Sequence, residues 1–228
     1  MKKIAFLTGI AFVLFSCNSG NKESSDRNKI NSKSYDCLKK FEEDYAQLLT
    51  KEEMASIYPI DFDKSKVELR SGSYGQHMYR WPSNRPDFDL EISGMKMKNP
   101  DQNTMGVKRL SFYSDKSDLK STIETFNMGY KELSEEELAR IQANLDKQSD
   151  EVKETGKDLM KVRGKRSWDF VEGLGSSAWY KWNEKYGGEL AVLAGKANFN
   201  IIIKTSSDPN ENRELAVKLA EKVLEKCK

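Results

Sequence analysis

Two blocks of the chain, 66–113 and 170–204, are made of short stretches that alternate apolar with polar residues, while the segments around them repeat their apolar residues with a helical period. A period of two gives a strand one face for a core and one for water, the habit of antiparallel sheets. Phe88, Leu90 and Ile92 alternate with Asp89 and Glu91, and Val107, Arg109, Ser111 and Tyr113 oppose Lys108, Leu110 and Phe112. In the second block 190–194 and 197–204 are apolar and β-branched, with Gly195-Lys196 as a tight link. Runs of strands separated by runs of helices predict an α+β fold, with antiparallel sheet packed against helices. Met95 and Met97 fall in a Lys-rich stretch that reads as a loop, the methionines anchoring it to the sheet edge.

The helical segments carry their own signals. Tyr35, Leu38, Phe41, Tyr45 and Leu48 recur at spacings of three and four, which predicts one amphipathic helix over 35–49. Thr50 with Glu53 and Ser134 with Glu137 are capping boxes, each opening a further helix. Leu119, Ile123 and Phe126 share a helix face, and Leu138, Leu145, Val152 and Leu159 fall seven apart, predicting a long helix over 134–162. The chain ends in a helix with Asp208 as N-cap and Pro209 at its first position, burying Leu215, Leu219, Val223 and Cys227.

Composition narrows the function classes. With 38 basic and 36 acidic residues the formal charge is +2, which argues against a nucleic-acid binder. The 4 Trp, 9 Tyr and 10 Phe supply the apolar surface that a disordered chain lacks.

The first residues differ from all the rest. Lys2 and Lys3 precede an apolar run over 4–15, too short to cross a bilayer as a helix and suited to a signal peptide. The run ends in Leu14-Phe15-Ser16-Cys17, which resembles the lipobox of bacterial lipoproteins, although Phe15 is bulkier than the usual residue there. The resemblance implies cleavage before Cys17, acylation of Cys17, and membrane lipid as a partner through that anchor. It divides the chain into a signal peptide over 1–16, the lipidated Cys17 with a flexible polar tether over 17–33, and an α+β domain over 34–228. Without lipidation the same residues are an ordinary cleaved signal. The address implied is the cell envelope. Asn18, in place of an Asp that retains some lipoproteins at the inner membrane, favours the outer membrane of a Gram-negative bacterium.

Cys37 and Cys227 remain as an even pair in an exported chain, where a bridge can persist. Two separate buried thiols are the alternative.

Candidate chemistry is sparse. The single histidine, His77, lies in a strand with no signature around it, which removes catalytic triads and His-based zinc sites. Gly173-Leu174-Gly175 lacks a third glycine and precedes a strand, so it reads as a turn and not as a dinucleotide loop. Met95, Met97 and Met105 are weighed as a soft-metal site and set aside in favour of packing. No catalytic residue, metal or cofactor is expected. Trp179 and Trp182 are either a stacking platform for a ligand or core residues. The run Lys161, Arg163, Lys165 and Arg166 reads as a solvated loop.

The segment from Val171 to Trp179, the hairpin after it and the terminal Ala/Leu helix also resemble the C-terminal half of uncharacterised cell-envelope lipoprotein domains, with Ser176 where an acidic residue is common. That resemblance implies a non-enzymatic binding or sensing module, its partner a small molecule or another envelope protein. The alternatives are an assembly lipoprotein with an exposed apolar patch, and a hydrolase built on paired carboxylates in a desolvated cleft.

Overall fold

The computed structural model describes residues 35–72, 74–92, 94–147 and 168–228. The expected signal peptide, Cys17, the tether, residues 148–162 of the long helix and the basic run at 161–166 lie outside the described residues.

Nine strands are described. The first block gives β1 (Lys66–Arg70), β2 (Gln76–Pro82), β3 (Phe88–Ile92), β4 (Met95–Asn99) and β5 (Gln102–Phe112). The second gives β6 (Asp169–Phe170), β7 (Ser177–Asn183), β8 (Gly187–Ala194) and β9 (Ala197–Lys204). Seven form one sheet in the order β1-β2-β5-β9-β8-β7-β6, with every pairing antiparallel. The two blocks are thus two meanders joined through β5 and β9. Helices pack against this sheet, so the fold is α+β.

One face of the sheet carries the larger core. Phe199, Ile201 and Ile203 of β9 and Leu190 and Val192 of β8 point to it. It is covered by the terminal helix α5 (Pro209–Glu225), whose Leu215, Leu219 and Val223 are buried as their spacing requires. Asp208 caps α5 by accepting from the Asn210 amide, and Pro209 follows it. The same layer holds α1 (Tyr45–Leu48) and α2 (Lys51–Ile57). The Thr50–Glu53 capping box of α2 is formed in both directions. Cys37 and Cys227 stand at disulfide distance in this layer, Cα–Cα 5.6 Å, although 190 positions separate them in sequence.

The other face is covered only in part. The helix α3 (Leu119–Met128) lays Ile123 and Phe126 on Ala191 and Leu193, a second and smaller cluster. The helix α4 (Glu135–Leu145) follows, its Ser134–Glu137 capping box formed and none of its residues buried.

Three expectations are corrected. The single helix over 35–49 is broken. A 3₁₀ turn over Asp36–Phe41 stops at Glu42, whose carbonyl accepts from the Gly72 amide, and Asp44 caps α1 afresh by accepting from the Gln47 amide. Residues Met95–Asn99 are a strand, not a loop, because β3 and β4 satisfy one another's backbone as a separate hairpin. Met95 and Met97 are 70% and 53% exposed there, so they anchor nothing, while Met105 is buried in β5. Finally, the alternation along β5 fails at Arg109. A bulge between Lys108 and Ser111 shifts the register, and Arg109 takes a positive φ of 58°.

Candidate ligand cavity

The partly covered face owes its character to residue pairing across four strands. Partners in an antiparallel ladder share a face. Lys108 of β5 is opposite Asn200 of β9, and Lys181 of β7 is opposite Glu189 of β8. Asn200 is in turn opposite Ala191. At one end of β7 and β8 this face is apolar, with Trp179, Ala191 and Leu193, and α3 sits on it. At the other end it is polar, and α3 does not reach. Between the end of α3 and this polar floor lies a cavity of about 760 Å³. That is within the range of about 300–1,000 Å³ occupied by small-molecule sites.

Glu189 organises the floor. It accepts from Lys108 at 3.1 Å, from Lys181 at 2.9 Å and from the Asn200 amide at 2.8 Å. Burial pushes its carboxyl up, but the Lys108 charge and the hydrogen bond from Lys181 outweigh this and hold it below the ordinary glutamate value. The carboxylate is 14% exposed, against 21% for Lys108 and 40% for Lys181. Both lysine side chains are thus more open than the carboxylate that they hold.

The bulge in β5 adds a third cation. In a regular strand Arg109 would follow Val107 into the core face. The extra residue leaves Val107 and Leu110 both buried, and Lys108 and Arg109 both lining the cavity. The Arg109 amide donates to the Gly75 carbonyl at 2.8 Å, and the next amide, that of Leu110, donates to the Tyr45 hydroxyl at 2.7 Å. These bonds fix a left-handed conformation that costs a non-glycine residue roughly 1–2 kcal/mol. Arg109 is exposed and makes no ion pair with a described residue.

An aromatic wall faces the cations. Tyr130 meets Trp168 edge to face at 4.7 Å and Phe126 at 4.8 Å, and the Lys181 ammonium lies 4.5 Å from the centre of the Trp168 ring. Asn127 on α3 accepts from both the Ser177 hydroxyl at 2.6 Å and the Trp179 indole at 2.9 Å, tying the helix to β7.

No family model, curated protein or solved structure matches this chain.

The two tryptophans singled out from the sequence part company. Trp182 lines the cavity and also packs on the larger core. Trp179 is pinned beneath α3 by Asn127 and Phe170 and does not line the cavity. Trp168, Tyr130, Lys108, Arg109 and Glu189 were not legible as site residues. They come from four separate segments, and only strand order brings them together. His77 is buried on the opposite face, its Nδ1 2.9 Å from the Leu49 carbonyl oxygen, and burial pushes its pKa down. Among the described residues there is no group of three metal-ligating side chains, and no helix is long and apolar enough to cross a membrane.

A second charged cluster is structural. Asp101 accepts from Arg85 at 2.9 Å and Lys204 at 2.8 Å, and Lys204 also donates to the Lys185 carbonyl at 2.8 Å. These bonds close the ends of β5 and β9 around the base of the β3–β4 hairpin.

Proposed function

We propose that this protein is a non-enzymatic binding module of the cell envelope, carried on the membrane by lipid on Cys17, and that it takes a small polar ligand on the α3 face of its sheet. The observation that supports the reading most is the cavity of about 760 Å³, floored by the Lys108–Glu189–Lys181 cluster and walled by Trp168 and Tyr130. Such a mixture of convergent polar groups and aromatic surface marks small-molecule sites. The one carboxylate lining it is held ionised between two lysines. Paired carboxylates for hydrolysis are lacking among the described lining residues. The anchor rests on the Leu14-Phe15-Ser16-Cys17 sequence, and outer-membrane residence rests on Asn18.

The binding reading is tested by native mass spectrometry of the mature protein after incubation with a low-molecular-weight fraction of the cell envelope. A retained adduct is expected, and Thr125→Trp should abolish it. Thr125 is exposed on α3 and lines the cavity, so the indole fills the site without entering the core. No adduct, or one that Thr125→Trp leaves in place, would overturn the reading. The anchor is tested separately. Cys17→Ser should release the protein from the membrane fraction, and unchanged partition would refute lipidation.

A further inference from the structure

The charges around the cavity do not cancel. Lys108, Arg109 and Lys181 line it, against Glu189 alone. Glu189 is engaged by both lysines and by Asn200, so no further carboxylate is left to pair with Arg109 among the lining residues. The bulge that turns Arg109 onto this face is held by two hydrogen bonds, from its own amide and from that of Leu110. A bulge of this kind re-aims a side chain at some cost in backbone strain. One remaining polar group suits a hydroxyl. Asn200 gives its amide nitrogen to Glu189 and keeps its Oδ1 as an acceptor, whereas Asn198 is tied to Ser111 through both its Oδ1 and its Nδ2; Trp168 with Tyr130 offers flat apolar surface of the kind that packs against a ring.

We infer that the ligand is a sugar bearing an acidic group, with its anion between Arg109, Lys108 and Lys181, a hydroxyl on the Asn200 Oδ1, and its ring against the Trp168–Tyr130 wall. This rests on the binding reading above and deepens it. A carboxylate on the sugar, as in a uronic acid, and a phosphate ester satisfy the same three cations. The shared chemistry is a polyhydroxylated ring with one anionic group.

The test is isothermal titration of the mature protein with three probes: trigalacturonate, glucose 1-phosphate and the neutral galactotriose. One or both acidic probes should bind, at least tenfold more tightly than the neutral one, and which of them binds identifies the acid. Arg109→Asn should weaken that binding at least tenfold, since asparagine tolerates the positive φ while removing the charge. Rising salt should weaken it as well. Neutral and acidic sugars binding alike, or acidic binding untouched by Arg109→Asn, would overturn the assignment of an anion and leave the binding module standing. No binding of any probe would also overturn the assignment. If an envelope adduct sensitive to Thr125→Trp were still seen by native mass spectrometry, only the sugar-acid assignment would fall. Without that adduct, both readings would fall.

Discussion

The Tyr45 hydroxyl accepts the Leu110 amide at 2.7 Å, across 65 residues of chain, and donates to the Gly72 carbonyl at 3.1 Å. Tyr45 is 1% exposed and packs so closely that a Cβ at Gly75 would overlap its ring. This side chain of the larger core thus determines the backbone that turns Arg109 to the opposite face. Tyr45→Phe keeps the ring and leaves the buried Leu110 amide without its partner, at a cost of about 1–3 kcal/mol. Urea unfolding should show that loss. Hydrogen exchange should quicken at Leu110 more than at Val107. Equal protection of Leu110 in both proteins would contradict the role given to the hydroxyl.

Arg109 itself should trade stability for binding. Glycine adopts a φ of 58° without strain, so Arg109→Gly should raise the unfolding free energy by up to about 1 kcal/mol while abolishing the preference for an acidic ligand. A loss of stability in Arg109→Gly would mean that the side chain holds the fold and is not held by it.

Glu189 should show itself in acid. Its folded pKa lies below the ordinary value of 4.5, so the stability it contributes is fully present above that value and is lost as pH falls through the lower, folded value. Glu189→Gln should cost about 1–3 kcal/mol near neutrality, the lower part of that range being favoured by the solvent around Lys181. The gap between wild type and variant in urea unfolding should be flat from about pH 7 to 5 and close below about pH 4.5. A gap that persists in strong acid would show that the carboxylate is not ionised between its lysines.

How much of this was legible follows from the range of each interaction. The caps at Thr50, Ser134 and Asp208 were read correctly because a cap is settled within four residues. The buried stripe of α5 was read for the same reason, although the fully buried Asn212 escaped notice. Its side chain accepts from the Thr205 amide at 2.8 Å, a bond that periodicity does not reveal. The strand β4 was missed because all but one of its residues are exposed, so it carries no alternation. The cavity was out of reach. Lys108 and Glu189 are two among 74 charged residues until the β5–β9 and β8–β9 pairings place them on one face.

Cys37 and Cys227, 190 positions apart in sequence, stand at disulfide distance where the 3₁₀ turn meets the residues after α5. Chain-entropy reasoning puts the effect of a bridge closing a loop of that length at roughly 5 kcal/mol, as an upper figure. Reduction, or the double change Cys37→Ser with Cys227→Ser, should lower the urea midpoint and steepen the slope, because the unfolded chain freed of the bridge exposes more surface. Identical midpoints with and without reductant would show two free thiols.

The position of a bound ligand tests the cavity most directly. In a titration of the ¹⁵N-labelled mature protein with the small-molecule envelope fraction, followed by amide shifts, the largest changes are predicted at Arg109, Lys181, Glu189 and Asn200, with α5 silent. Changes confined to α5 or to the β3–β4 hairpin, or none anywhere, would contradict it.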